Sequence, residues 1–236
     1  MNALNRSRAT VLFFFAAVLV FSNLAPTTQS QPLTKEEVAR KLAASPETIN
    51  ADPKILLHTT PYSDGMRMNC FMHGVEAADQ VMTQGPDLNA DGEPNQYFVY
   101  VLISGYDTLG VAAVQLGIAY DPDPRSGVDV LGWQDCADLE FRNEDWPMAG
   151  TGNLMTWHWV NNCQKEEPVV VGFFIIEVYG DDEFRVIPRP VDNIGSIVHC
   201  NSTRMIDVPR ESMGKISYGT GKGVNPWLDS LTDSKD

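Results

Sequence analysis

Basic side chains are scarce in this sequence: 17 Lys and Arg stand against 31 Asp and Glu, for a formal net charge of −14. A field of that sign repels phosphate backbones and anionic lipid, so nucleic acid and membrane surfaces are excluded as expected partners. Long apolar runs are also few. Val11–Phe21 is the longest, and it falls short of the ~20 apolar residues a bilayer span requires. Histidine occurs four times and never as H-E-x-x-H, so a zincin-type metal site is not expected. Serine has no G-x-S-x-G setting, which removes the usual hydrolase elbow. Gly219-Thr220-Gly221-Lys222-Gly223 is not a phosphate loop, because Gly rather than Ser or Thr follows Lys222 and the upstream glycine position holds Ile216.

The beginning of the chain has the order of a secretory leader. Arg6 and Arg8 precede the apolar run, and small and polar residues from Ser22 to Ser30 follow it. Residues 1–30 are expected to be removed, with the cut after Ser30, leaving a protein secreted outside the cell or into a periplasm. Cysteine is read in that light. Cys70, Cys136, Cys163 and Cys200 are expected to form two disulfides, for which three connectivities exist. The expected pairing is Cys136–Cys163, which brackets a local segment, and Cys70–Cys200, which clamps the N-terminal extension to the last core strand. A zinc site of Cys70, His73, His199 and Cys200 competes. Adjacent strand residues point to opposite faces, which counts against His199 and Cys200 sharing a metal.

Three segments are expected after the leader. Residues 31–94 read as an extension of short helices and loops. Thr34 to Glu37 forms a capping box, and Phe71, Val75, Ala78 and Met82 have helical spacing. Residues 95–203 read as the core. About seven strand-like runs are expected there: 97–103, 111–120, 128–136, 153–159, 169–179, 184–188 and 196–200. No helical pattern of any length intervenes, so the expected fold is mainly β, an antiparallel Ig-like β-sandwich. The runs 97–103 and 169–176 are apolar on both faces, as strands covered on both sides would be. Cover for one of them is expected from the extension, held by Cys70. Residues 204–236 read as a polar, glycine-rich tail.

Candidate sites follow from residue type and spacing. Asp87, Asn89 and Asp91, with Gly92, match the first half of an EF-hand loop, but position 12 is Phe98 rather than Glu, so no cofactor is expected: a turn-rich acidic linker is the leading reading and a calcium-stabilised loop the alternative. Trp157 and Trp159 fall on one face of their strand, with His158 on the other; one or both are expected in the core or packed over a disulfide, and the alternative is that they stack on a polysaccharide. Asp135, Asp138, Glu140, Glu144 and Asp145 cluster in sequence, which a glycosidase would need resolved into two carboxylates across a cleft. Asn201-Ser202-Thr203 is a glycan acceptor pattern. Ala113, Gly117 and Ala119 leave one strand face uncluttered, ready for cover by the chain's own extension or by a neighbouring molecule.

Tyr120-Asp121-Pro122, leading into Val128-Asp129-Val130-Leu131, resembles the front half of bacterial cohesin-type and related Ig-like modules. That resemblance implies a non-catalytic extracellular β-sandwich used in adhesion or scaffolding. No dockerin-like duplicated repeat accompanies it. The expected function is binding or assembly outside the cell, with a protein, a polysaccharide or a second copy as partner. Carbohydrate binding through the tryptophans is the alternative, and glycoside hydrolysis a more distant one.

Overall fold

Eleven strands account for most of the regular structure in a computed structural model, which describes residues 51–62, 69–71, 74–85, 95–200 and 204–228. All of these belong to the unit Ile49–Asp236; the unit Met1–Thr48 lies outside the described residues. The strands are β1 Lys54–Pro61, β2 Asn95–Ser104, β3 Val111–Ala119, β4 Val128–Asp135, β5 Leu139–Arg142, β6 Gly152–Thr156, β7 Val169–Val178, β8 Asp182–Ile187, β9 Ser196–His199, β10 Met205–Asp207 and β11 Lys215–Tyr218. Every ladder between them is antiparallel. One sheet has the order β1-β2-β7-β4. The other runs β10-β9-β3-β6-β5, with β8 also on β3 and β11 on β8. The fold is thus the expected antiparallel β-sandwich, with more strands than the sequence suggests.

Period-2 alternation builds the main core. In β2, Tyr97, Val99, Val101 and Ile103 point between the sheets. They meet Val114, Leu116 and Ile118 of β3, Met155 of β6 and Phe174 of β7. The intervening residues Phe98, Tyr100 and Leu102 point the other way, into a second cluster with Leu56 and Phe173. Val75, Ala78 and Val81 complete that cluster and cover the outer face of the four-stranded sheet. This explains why β2 and β7 are apolar on both faces. The strap carrying these three residues is not a helix. It holds one 3-10 turn, Ala78–Gln80, while Phe71 and Met82 of the expected helical stripe are exposed.

The disulfide pairing expected from sequence is corrected. Cys70 bonds Cys136, with Cα atoms 5.8 Å apart, and Cys163 bonds Cys200 at 5.9 Å. The reason lies in β3 and β7. The Cys136 N–H donates to the Val171 carbonyl, which fixes Cys136 to the four-stranded sheet beside the strap. Val111, at the start of β3, pairs with Gln164, and the Cys200 N–H donates to Gly110, so Cys163 and Cys200 meet across the same strand end.

Two other differences concern elements. β1 lies inside the segment read as helices and loops; Ile55, Leu56 and Leu57 are all buried, which erases the alternation that marks a strand. β10 and β11 lie inside the segment read as a tail. The capping box at Thr34 and the acceptor pattern at Asn201 lie outside the described residues.

Candidate functional site

On the outer face of the seven-stranded sheet the register leaves apolar side chains exposed at the β5 and β10 ends, while Ala113, Gln115 and Ser196 between them are buried. Directly paired residues share a face, so the ladders define two rungs that cross five strands. The first runs Leu139, Thr156, Ala113, Val198, Met205. The second runs Phe141, Leu154, Gln115, Ser196, Asp207. Leu139, Phe141 and Met205 are 61%, 55% and 48% exposed. The alternate positions Met155, Val114 and Ile197 lie in the core, with Ile206 packed against it.

The small residues of this face have two fates. Ala113 sits in the first rung, overlooked by larger neighbours. A Cβ on Gly117 would stand 2.7 Å from the Pro190 ring, and one on Gly152 would stand 2.7 Å from Arg189. Both glycines are therefore required by the segment 188–195, which lies over them. That segment interrupts a line of pairing along β3. β8 meets β3 at 117–119 and β9 meets it at 111–115, on the same edge. The expected cover does come from the chain itself at Gly117, but from this flap.

The paired-indole platform is not formed. Trp157 is 4% exposed and donates from Nε1 to the Cys136 carbonyl at 3.0 Å, whereas Trp159 is 57% exposed beyond the end of β6. Trp133 packs edge-on against Trp146 and donates to Glu140.

Two carboxylates of the acidic cluster serve architecture. Glu140 accepts from Trp133 Nε1 at 3.2 Å and Asn153 Nδ2 at 2.8 Å, and pairs with Arg142 at 3.3 Å. Asp138 accepts from the His158 N–H at 2.7 Å and from Asn162 Nδ2 at 2.8 Å. Glu144 and Asp145 are exposed in the turn after β5.

The competing zinc set is dissolved, since both of its cysteines are in disulfides and His199 points Nδ1 at the Gly110 carbonyl, 3.1 Å away. Among the described residues no group of three or more His, Cys, Asp and Glu could hold a metal. His73 and the calcium-loop residues Asp87, Asn89 and Asp91 lie outside those residues.

Sequence reasoning singled out Ala113 but missed Leu139, Phe141 and Met205. Leu139 and Phe141 do alternate with Glu140 and Arg142, which is a strand signal, but over only four residues. Met205 gains its place solely through pairing with Val198.

Two antiparallel sheets around one core, with exposed apolar side chains on the outer face of the larger sheet, define a β-sandwich module. Its fold resembles that of cohesin modules. The sixth cohesin of Acetivibrio cellulolyticus scaffoldin B, solved in complex with the Cel5 dockerin, is 8% identical at a TM-score of 0.40, covering 71% of this chain and 99% of that one. The Coh-OlpA–Doc918 complex of Clostridium thermocellum gives 11% identity and a TM-score of 0.41, covering 70% and 98%. A cohesin module from a Clostridium perfringens family 33 glycoside hydrolase gives 7% and 0.40, covering 70% and 96%. No family model matches the chain, and no curated protein does.

Proposed function

We propose that this chain is a non-catalytic, extracellular binding module that docks a protein partner on the outer face of its seven-stranded sheet. The observation that supports this reading is the rung Leu139, Thr156, Ala113, Val198, Met205, backed by Phe141 and Leu154. Soluble monomers seldom expose a contiguous apolar patch of more than a few hundred Å², and larger ones mark interaction sites. The face is also flat and β-paired. A partner can cover it at little backbone ordering cost, because the strands already fix the backbone. Polysaccharide stacking is less well supported, since Trp157 is buried and only Trp159 of the pair is exposed.

A photo-crosslinking amino acid placed at Leu139, and separately at Val191 on the flap as a control, tests the reading in medium from the producing cells. The expected result is a discrete protein adduct from position 139 that excess wild-type module suppresses and a Phe141→Asp module does not. Equal adducts from both positions, or equal suppression by the variant, would remove the docking face. An adduct containing a second copy of this chain would make the partner itself.

A further inference from the structure

A second surface feature lies at the β8–β11 end of the same sheet, where Ala119, Arg185 and Lys215 are paired. A cleft of about 370 Å³ is lined by Arg185, Val186, Ile187, Arg210, Glu211, Met213, Lys215 and Val224. That volume is at the lower end of ligand-sized clefts, which start at about 300 Å³. Three cations against one carboxylate is an unusual lining for a chain of net charge −14.

The charges are arranged against local stability. Arg185 of β8 and Lys215 of β11 are directly paired across the ladder. Like charges in that position repel. Lys215 is compensated by an ion pair with Glu183. The Arg185 side chain has no hydrogen bond or ion pair among the described residues, and the residue is exposed. Arg210, also exposed, donates from Nη2 to the neutral amide oxygen of Asn193 at 3.1 Å, so its charge is not balanced there. Two guanidinium groups are thereby left facing one cleft, and guanidinium forks are matched geometrically by carboxylates. The rest of the lining is largely aliphatic: Val186, Ile187, Met213 and Val224. Among the described residues no aromatic ring lines it, so none of them offers the flat surface on which a sugar would stack.

We infer that this cleft binds an acidic peptide segment of a protein partner, with carboxylates on Arg185 and Arg210 and aliphatic side chains against Ile187 and Val224. The inference does not depend on the apolar face. Charge complementarity selects the occupant: the cleft is a local cationic spot where acidic chains are otherwise repelled.

The test uses fluorescein-labelled Glu-Leu-Glu-Leu-Glu-Leu amide and anisotropy at low salt. Binding by the wild-type protein is expected, with a loss of about tenfold or more in the Arg185→Glu and Arg210→Glu proteins and for the peptide in which Gln replaces Glu. Arg142→Glu, which makes the same charge change on β5, is expected to leave affinity unaltered. Far-UV circular dichroism checks that each exposed-site variant folds. Equal affinity in the Arg185→Glu protein, equal affinity for the Gln peptide, or no binding at about 1 mM peptide would overturn the inference. Tighter binding of an oligogalacturonate than of the peptide would overturn the choice of occupant, making it an acidic glycan.

Discussion

Glu177 shows how a single side chain on β7 couples to pH. Tyr179 donates its hydroxyl to Oε2 at 2.7 Å, and Gln96 Nε2 donates to Oε1 at 2.8 Å. These hydrogen bonds favour the carboxylate, the Tyr179 bond most, and hold its pKa below the ordinary 4.5. The folded state therefore binds this proton less readily than the unfolded state. The stability so gained is present above about pH 4.5 and is lost as pH falls through the lower folded value. Glu177→Gln is expected to melt below the wild type at pH 7, with the gap closing as pH drops below 4.5; a gap constant with pH in calorimetry would deny the linkage. The same scale shows why the two tryptophans part company, Trp157 in the core and Trp159 exposed. Alternation correctly separates Trp157 and Trp159 from His158 within a continuous strand. It carries no information that β6 ends at Thr156, after which Trp157 turns inward to the Cys136 carbonyl.

Among the elements, the strap and the two bridges decide most. Cys70–Cys136 closes a separation of 66 residues and Cys163–Cys200 one of 37. Loop-closure entropy then assigns each bridge about 4 kcal/mol in the chain-entropy model, the longer loop slightly more. Replacing Cys70 and Cys136 together by Ser is expected to lower stability by an amount of that order. It should also raise hydrogen exchange at Val75 to Val81, because the bridge ties the end of that strap to the sheet. Non-reducing peptide mapping should return Cys70–Cys136 and Cys163–Cys200; a Cys136–Cys163 peptide, or a strap unaffected by the double replacement, would refute this. Sequence distance favours pairing Cys136 with nearby Cys163. The structure instead routes Cys136 to the four-stranded sheet and Cys163 to the start of β3, which lies in the other sheet. β1 and β5 were similarly obscured, the first by burial on both faces and the second by its length of four residues.

At the scale of the whole molecule, charge and layering act together. The net charge of −14 is spread over a surface whose described cations gather partly at the β8–β11 cleft. Self-repulsion of that size opposes the compact state. Raising ionic strength from about 0.01 M to about 0.15 M shortens the screening length from about 30 to about 8 Å. The melting temperature is expected to rise over that range; a fall would mean that specific ion pairs outweigh the repulsion. Layering accounts for the two cores. The sandwich buries one between its sheets, and the strap over Phe98, Tyr100 and Phe173 buries a second on the far side of the smaller sheet. On the outer face of the larger sheet the flap lies over Gly117 and Gly152 and its Ile194 carbonyl accepts from Gln115 Nε2, while Leu139, Phe141 and Met205 stay exposed.

The sequence by itself determined that the chain is β-rich, acidic and antiparallel, and that β2 and β7 are covered on both faces. Those properties follow from side-chain period and composition, which are local. Only the tertiary structure decided which cysteines meet, which tryptophan is buried, and that Leu139, Ala113 and Met205 fall on one rung. It alone brought Arg185 and Arg210 to one cleft. Each of these depends on register between strands far apart in the chain, and a shift of one residue would send every such side chain to the opposite face.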